Sequence, residues 1–138
     1  MEENNYRFQP VGVVRSALVN LEAAPRQGDE GAPEAWLEFS EAAAPALAGI
    51  RPGDEMILLT WLHRAQRDIL LVHPRGDVTR PLTGVFATRS PDRPNPVGLH
   101  RVTVLEVADR GLKVTPLEAI DGTPIIDLKP VLGSVGER

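Results

Sequence analysis

"HRVTVLEVADRGLKVT", His100 to Thr115, decides the fold class of this chain. Two runs with frequent β-branched residues, His100–Ala108 and Gly111–Thr115, flank a short polar connection, Ala108 to Gly111 (ADRG), so the stretch predicts a β-hairpin and antiparallel neighbours. The same pattern repeats outward in both directions. Pro10–Arg15 (PVGVVR), Ala35–Phe39 (AWLEF), Glu55–Leu62 (EMILLTWL), Ile69–His73 (ILLVH), Leu82–Ala87 and Ile125–Lys129 (IIDLK) are further short apolar runs bounded by turn residues. Only Ser40–Ala48 reads as helical, with Ser40 as N-cap and Glu41 in the first turn, and Pro45 limits its length. That is too little helix to supply the crossovers of alternating βαβ units. The predicted fold is mainly β: a small single-domain β-barrel of mostly antiparallel short strands with one or two short helices, closure being the way such a sheet loses its exposed edges.

The composition fits one core. With 138 residues, 42% of them apolar, the chain can bury an interior without staples. It has no cysteine, which removes thiolate nucleophiles, disulfide frameworks and cysteine-ligated zinc, and suits a reducing compartment. No stretch approaches the roughly 18 apolar residues of a membrane span. The start, MEENNYRFQP, is acidic and polar where a signal peptide is basic and then apolar, so a soluble, cytoplasmic protein is expected. Net charge is −4, which argues against a general nucleic-acid binder. The average hides an asymmetry, however. From Arg64 to Arg101 seven arginines (Arg64, Arg67, Arg75, Arg80, Arg89, Arg93, Arg101) face three acids (Asp68, Asp77, Asp92), a local +4 that leaves −8 elsewhere.

The common catalytic signatures are missing. There is no Gly-x-Gly-x-x-Gly after a strand, no Walker-type Gly-Lys-Ser/Thr, no Gly-x-Ser-x-Gly elbow and no His-Glu-x-x-His. His63, His73 and His100 match no metal spacing, and no metal is expected. What stands out instead is "GVFATRSPDRPNPVGLH", Gly84 to His100. Ser90-Pro91, Arg93-Pro94 and Asn95-Pro96 each remove a backbone donor and restrict the preceding residue, so this loop has few ways to move. A stiff loop carrying Arg89, Arg93 and Asn95 can hold polar groups beside a ligand at little ordering cost. The residues alone equally allow a structural corner rich in proline.

Three stretches carry a resemblance to a known family: "GVFATRSPDRPNPVGL", "DGTPIIDLKP" at Asp121–Pro130, and "PRQ" at Pro25–Gln27 preceded by "VGVVRS" at Val11–Ser16. In this order they resemble the TrmO/TsaA-like family, S-adenosyl-L-methionine (SAM)-dependent methyltransferases acting on the threonylcarbamoylated adenosine next to the anticodon of certain tRNAs. The likeness runs from about Phe8 to Pro130, within a single domain spanning residues 1–138 whose last residues, 131–138, read as a tail. It implies a small β-barrel unlike the doubly wound methyltransferases. It also implies that Pro25, Arg26, Gln27, His63, Arg64, Arg89, Leu99, Ile120, Asp121, Gly122 and Thr123 bind the SAM cofactor. Asp121, Asp127 and His63 are the candidate proton acceptors for an attacking amide-like nitrogen. tRNA and a second copy of the chain are the implied partners. Val131 follows Pro130 where many relatives carry a tyrosine, and the arginine-rich segment is then the candidate RNA face. Two other readings stay open: a methyltransferase of this fold acting on another substrate, and a non-catalytic, dimeric SAM-binding module.

Overall fold

The computed structural model describes residues 6–18 and 32–133. Within them the strands are β1 (Gly12–Arg15), β2 (Ala35–Phe39), β3 (Glu55–Trp61), β4 (Leu71–Val72), β5 (Thr83–Gly84), β6 (Val97–Ala108), β7 (Gly111–Thr115) and β8 (Pro124–Pro130). Six of them close an antiparallel barrel in the order β1-β2-β7-β6-β3-β8, while β4 and β5 pair as a separate ribbon. The β6–β7 hairpin is present as expected. Ala108 pairs with Gly111, which leaves Asp109 and Arg110 as a two-residue turn.

Alternation builds the core. In β3 Met56, Leu58 and Thr60 are buried, in β2 Ala35, Leu37 and Phe39, and in β6 Gly98, His100, Val102 and Val104. Val14, Leu37, Leu58, Leu112, Val114 and Ile125 are fully buried where the six strands converge. Each such side chain contributes roughly 1.5–3 kcal/mol relative to exposure. Register shifts between Leu59 and Thr60 against β8, and between Val104 and Glu106 against β7, bend the strands toward closure. The closing seam is short, with Gly12 opposite Ile125 and Val13 opposite Pro124. At Gly12 a Cβ would lie 2.4 Å from the Glu38 carbonyl oxygen, so the β1–β2 approach requires glycine.

Two expectations are corrected. Ser40–Ala48 forms no α-helix: the Ala43 and Ala44 N–H groups donate to the Ser40 carbonyl at 3.1 and 2.9 Å, and a 3-10 turn follows at Ala44–Leu47. Ser40 does cap, its hydroxyl accepting from the Ala43 N–H at 3.2 Å, but Pro45 brings no N–H to carry the turn into a helix. The expected strands at Ile69–His73 and Leu82–Ala87 shrink to the two-residue β4 and β5, with a 3-10 turn at Val85–Ala87. Off the barrel, one partner strand each leaves them nothing more to pair with.

The register places the connections. Arg15 lies opposite Trp36, Ala35 opposite Val114, Trp61 opposite Val97 and Thr60 opposite Ile125. The ends of β1, β3 and β7 and the starts of β2, β6 and β8 therefore gather at one rim. The β1–β2, β3–β6 and β7–β8 connections all leave from it, whereas residues 40–54 and the Asp109–Arg110 turn occupy the other.

Candidate functional site

The proline-rich loop between β5 and β6 is stiff, and prolines are only part of the reason. Arg93 turns its guanidinium back into the loop, where Nη2 donates to the carbonyls of Val85 and, at 3.0 Å, of Thr88. Its Nε is buried without a hydrogen-bond partner among the described residues. The loop is also laced to the segment following β3. The Gln66 N–H donates to Asp92 Oδ1 at 2.8 Å, the Arg93 N–H to the Gln66 carbonyl at 3.0 Å, and the Leu62 N–H to the Pro96 carbonyl at 2.8 Å. Arg67 donates to the Pro94 carbonyl at 2.7 Å and to Asn95 Oδ1 at 3.0 Å, and lies over the Trp61 ring at 5.0 Å. This lacing sets His63 and Arg64, both exposed, on the same connection as Arg89. Arg89 is itself exposed and has no ion-pair or hydrogen-bond partner among the described residues. A depression of about 300 Å³ opens in the same loop, lined by Phe86, Arg93, Pro94, Asn95 and Val97.

Across the rim, residues 116–123 form a strap that grips both ends of the β1–β2 connection. The Leu117 N–H donates to the Pro33 carbonyl at 2.9 Å and the Asp121 N–H to the Leu18 carbonyl at 2.6 Å. Asp121 Oδ1 accepts from the Ser16 N–H at 3.0 Å, and the Gly122 N–H, at φ +86°, donates to the Val14 carbonyl at 2.8 Å. Ile120 and Thr123 are buried beneath the strap, Thr123 bonding the Ile120 carbonyl at 2.7 Å. A second depression, about 480 Å³, lies here between Arg15, Ser16, Glu34, Trp36, Lys113 and Asp121. Lys113 pairs with Glu34 at 3.0 Å and Glu106 at 3.2 Å; the hydrogen bond to Glu34, then that to Glu106, raises its pKa above the ordinary 10.5. The two depressions share no lining residue.

The implied residues thus fall into groups. His63, Arg64 and Arg89 belong to the β3–β6 connection and Ile120–Thr123 to the β7–β8 strap, at the same rim. Leu99 and Asp127 sit instead on the outer wall, each opposite Leu59 on a different side of β3. Asp127 is engaged locally, Oδ1 accepting from the Leu128 N–H at 2.8 Å and Oδ2 lying 3.3 Å from Lys129 Nζ. Pro25, Arg26 and Gln27 lie outside the described residues. Among the described residues no group of three or more His, Asp or Glu side chains is placed to hold a metal ion, and no helix is long and apolar enough to cross a membrane.

One polar group was not singled out in the sequence. Inside the barrel mouth Thr60 Oγ1 lies 2.7 Å from His100 Nε2, and His100 Nδ1 bonds Glu118 Oε1. Thr60 and His100 are buried, while the Glu118 side chain keeps 18% exposure at the rim. The signal was strand parity. Thr60 is the polar residue on the inward phase of β3, and His100 that of β6.

Known proteins match the chain along most of its length. Residues 13–136 match the tRNA-methyltransferase O N-terminal domain. A probable S-adenosyl-L-methionine-binding protein of Methanothermobacter thermautotrophicus is 42% identical over 130 residues, covering 94% of this chain and 93% of that protein. An S-adenosyl-L-methionine-binding protein of Archaeoglobus fulgidus is 42% identical over 122 residues, 88% of this chain and 86% of its own. The crystal structure of TrmO from Pseudomonas aeruginosa superposes with a TM-score of 0.75 at 28% identity, covering 99% of this chain but 61% of the TrmO chain.

Proposed function

Since the chain belongs to the tRNA-methyltransferase O N-terminal domain family, we propose that it is a SAM-dependent tRNA methyltransferase whose acceptor is the exocyclic nitrogen of threonylcarbamoylated adenosine beside the anticodon. The observation that carries this reading is topological: the connections bearing the described rim residues His63, Arg64, Arg89 and Ile120–Thr123 leave the barrel at one rim, from which the β1–β2 connection also departs.

The residues present suit the cofactor. SAM combines a carboxylate, an ammonium, a sulfonium and an adenine, and the rim offers groups for each. Arg89, exposed and without a partner among the described residues, offers a guanidinium for the carboxylate, and Asp121 and Glu34, the latter already paired with Lys113, are carboxylates for the cationic centres. The half-exposed Trp36 and the exposed Phe86 are aromatic faces for the base. The two depressions, about 300 and 480 Å³ and open to solvent, offer room at the rim. Bound there, SAM supplies a methyl group already carried on a good leaving group. The protein's work is then alignment of acceptor nitrogen, methyl and sulfur, exclusion of water, and acceptance of the proton that the nitrogen gives up.

Of the three candidate acceptors, His63 is exposed at the rim and has no hydrogen-bond partner among the described residues, so its imidazole is available. Asp121 has one oxygen committed to Ser16, and Asp127 is engaged with Lys129 on the outer wall. His63 therefore leads. The RNA face lies on the β3–β6 connection around Arg64 and Arg89. A second copy packs against the outer wall, where Leu59, Val97 and Leu99 stand side by side and Val97 and Leu99 are exposed. One observation favours a different acceptor. Arg67, Arg93 and Arg101 are spent on Pro94 and Asn95, on the loop carbonyls and on Glu55, respectively, which leaves fewer arginines for phosphates.

Incubation with isotope-labelled SAM and total tRNA, followed by nucleoside mass spectrometry, tests the reading. A labelled methyl on threonylcarbamoyl-adenosine is the expected product. SAM binding with no labelled nucleoside would move the assignment to another acceptor or to a binding module.

A further inference from the structure

The buried Thr60–His100–Glu118 chain lies on no implied cofactor contact, yet it ties the rim to the barrel. A carboxylate only accepts hydrogen bonds, so the bond to Glu118 requires a proton on His100 Nδ1. In the neutral ring that leaves Nε2 to accept from the Thr60 hydroxyl at 2.7 Å, and both ring nitrogens are satisfied in a single ring orientation. Gly98 makes room for this arrangement. A Cβ there would come within 2.4 Å of Thr60 Oγ1 and 2.7 Å of His100 Nε2. Glu118 belongs to the strap, between the buried Leu117 and Ala119 and two residues before Ile120. The strap's other polar ties, to Pro33, Leu18, Ser16 and Val14, all run to segments at the rim or the end of β1. Among the described residues, its one side-chain hydrogen bond to the interior of the β3–β6 wall is Glu118 to His100.

We infer that Glu118, held by His100, is a positioning residue for the cofactor site: it fixes the height and register of residues 120–123 over the barrel mouth and, through Pro33, Leu18 and Ser16, the two ends of the β1–β2 connection. A carboxylate without that anchor would swing to solvent and leave the strap held to the β3–β6 wall by apolar side chains alone, which resist sliding poorly, while its remaining hydrogen bonds run to the β1–β2 side. The imidazole does the opposite work from inside the barrel, where its own freedom is already gone.

The claim rests on the SAM reading for its consequence in affinity but not for the positioning itself, and the test separates the two. Glu118→Ala, Glu118→Gln and, as a destabilised control outside the strap, the buried Val104→Ala are compared by thermal melting, by amide hydrogen exchange of the free protein at Leu117, Asp121 and Gly122, and by calorimetric titration with SAM. Glu118→Ala is expected to raise exchange at those amides and to weaken SAM binding at least tenfold. Glu118→Gln, which keeps an oxygen to accept from Nδ1–H, is expected to stay within threefold of the parent. Val104→Ala is expected to melt earlier with strap exchange and affinity close to the parent. The inference is overturned if Glu118→Ala leaves strap exchange unchanged, or if Val104→Ala perturbs exchange and affinity as much per degree lost. A parent protein that binds no SAM would sink the functional reading, and the exchange data would still decide the positioning.

Discussion

Gly98→Ala is a one-methyl change whose cost follows from the packing around it. The added Cβ meets Thr60 Oγ1 at 2.4 Å, His100 Nε2 at 2.7 Å and Leu62 Cδ2 at 3.0 Å. Real Cβ atoms do not come that close to their neighbours, so something must shift, and the candidates are all confined. Thr60 is fully buried and His100 is held at its far side by Glu118. Overpacking of a filled site costs about 1–3 kcal/mol. Forcing Thr60 and His100 apart leaves buried polar atoms unpaired, for a further 1–3 kcal/mol or so. The combined loss is about 2–6 kcal/mol. At about 2.1 cal/mol/K per residue, each kcal/mol lowers the melting temperature of a 138-residue domain by about 3.5 °C, so calorimetry should record a fall of about 7–21 °C. Adding Thr60→Ala removes the nearest clash and should recover part of the loss. A single variant that melts within about 3 °C of the parent, or a double variant as destabilised as the two singles taken together, would refute the packing argument.

Four further outcomes follow. Arg89→Ala should weaken SAM binding at least tenfold by calorimetry with little change in melting temperature, because Arg89 is exposed and has no hydrogen-bond or ion-pair partner among the described residues; unchanged affinity would remove it from the site. Arg93→Met keeps the length of the side chain but loses the donors to Val85 and Thr88, and should destabilise by about 1.5–3 kcal/mol; an unchanged melt would show that the loop is not clamped from within. The Thr79 hydroxyl, then the Thr79 N–H, holds the Asp77 carboxylate below its ordinary 3.8. With the folded pKa depressed, the small stabilisation is present above 3.8 and fades as pH falls through the lowered value. Thr79→Val should move the Asp77 titration, followed by NMR, back toward 3.8, and no movement would reassign the shift. tRNA affinity should fall steeply with salt, but with a slope smaller than all seven arginines of the segment would give, since Arg67 and Arg93 are bonded within the loop; a slope near −6 would show that these two also reach phosphate.

The strands were readable because each one carries its own evidence: AWLEF and GLKVT coincide with β2 and β7, and the turn between Ala108 and Gly111 lies where the polar residues put it. The order of the strands in the barrel was not. β8 meets β1 over two paired positions, a long-range seam that leaves no local trace in either segment. The start of β6 was placed three residues late because Pro96 and Val97 read as the end of a loop, whereas the barrel extends the strand up to that proline. Ser40–Ala48 misleads because an N-cap serine and a first-turn glutamate favour helix locally, and Pro45 decides against it.

At the rim, Arg89 and the Asp121–Gly122 turn stand out in the sequence through the motifs that contain them, whereas His63 and Arg64 lie in no motif and enter only through what the family resemblance implies. The internal bonding of Arg93 and Arg67 was not legible, because a charged residue in a polar loop gives no sign of turning back onto carbonyls. Thr60, His100 and Glu118 are 40 and 18 residues apart along the chain and form no motif. Only strand parity pointed inward for two of them.

The claim on which the account turns is that a single barrel rim holds the cofactor. Backbone NMR shift mapping during SAM titration tests it most directly. The account predicts the largest changes at His63, Arg64, Arg89 and residues 118–123, with residues 40–54 and the Asp109–Arg110 turn unmoved. Changes concentrated at the opposite rim, or no saturable change at any residue, would contradict it.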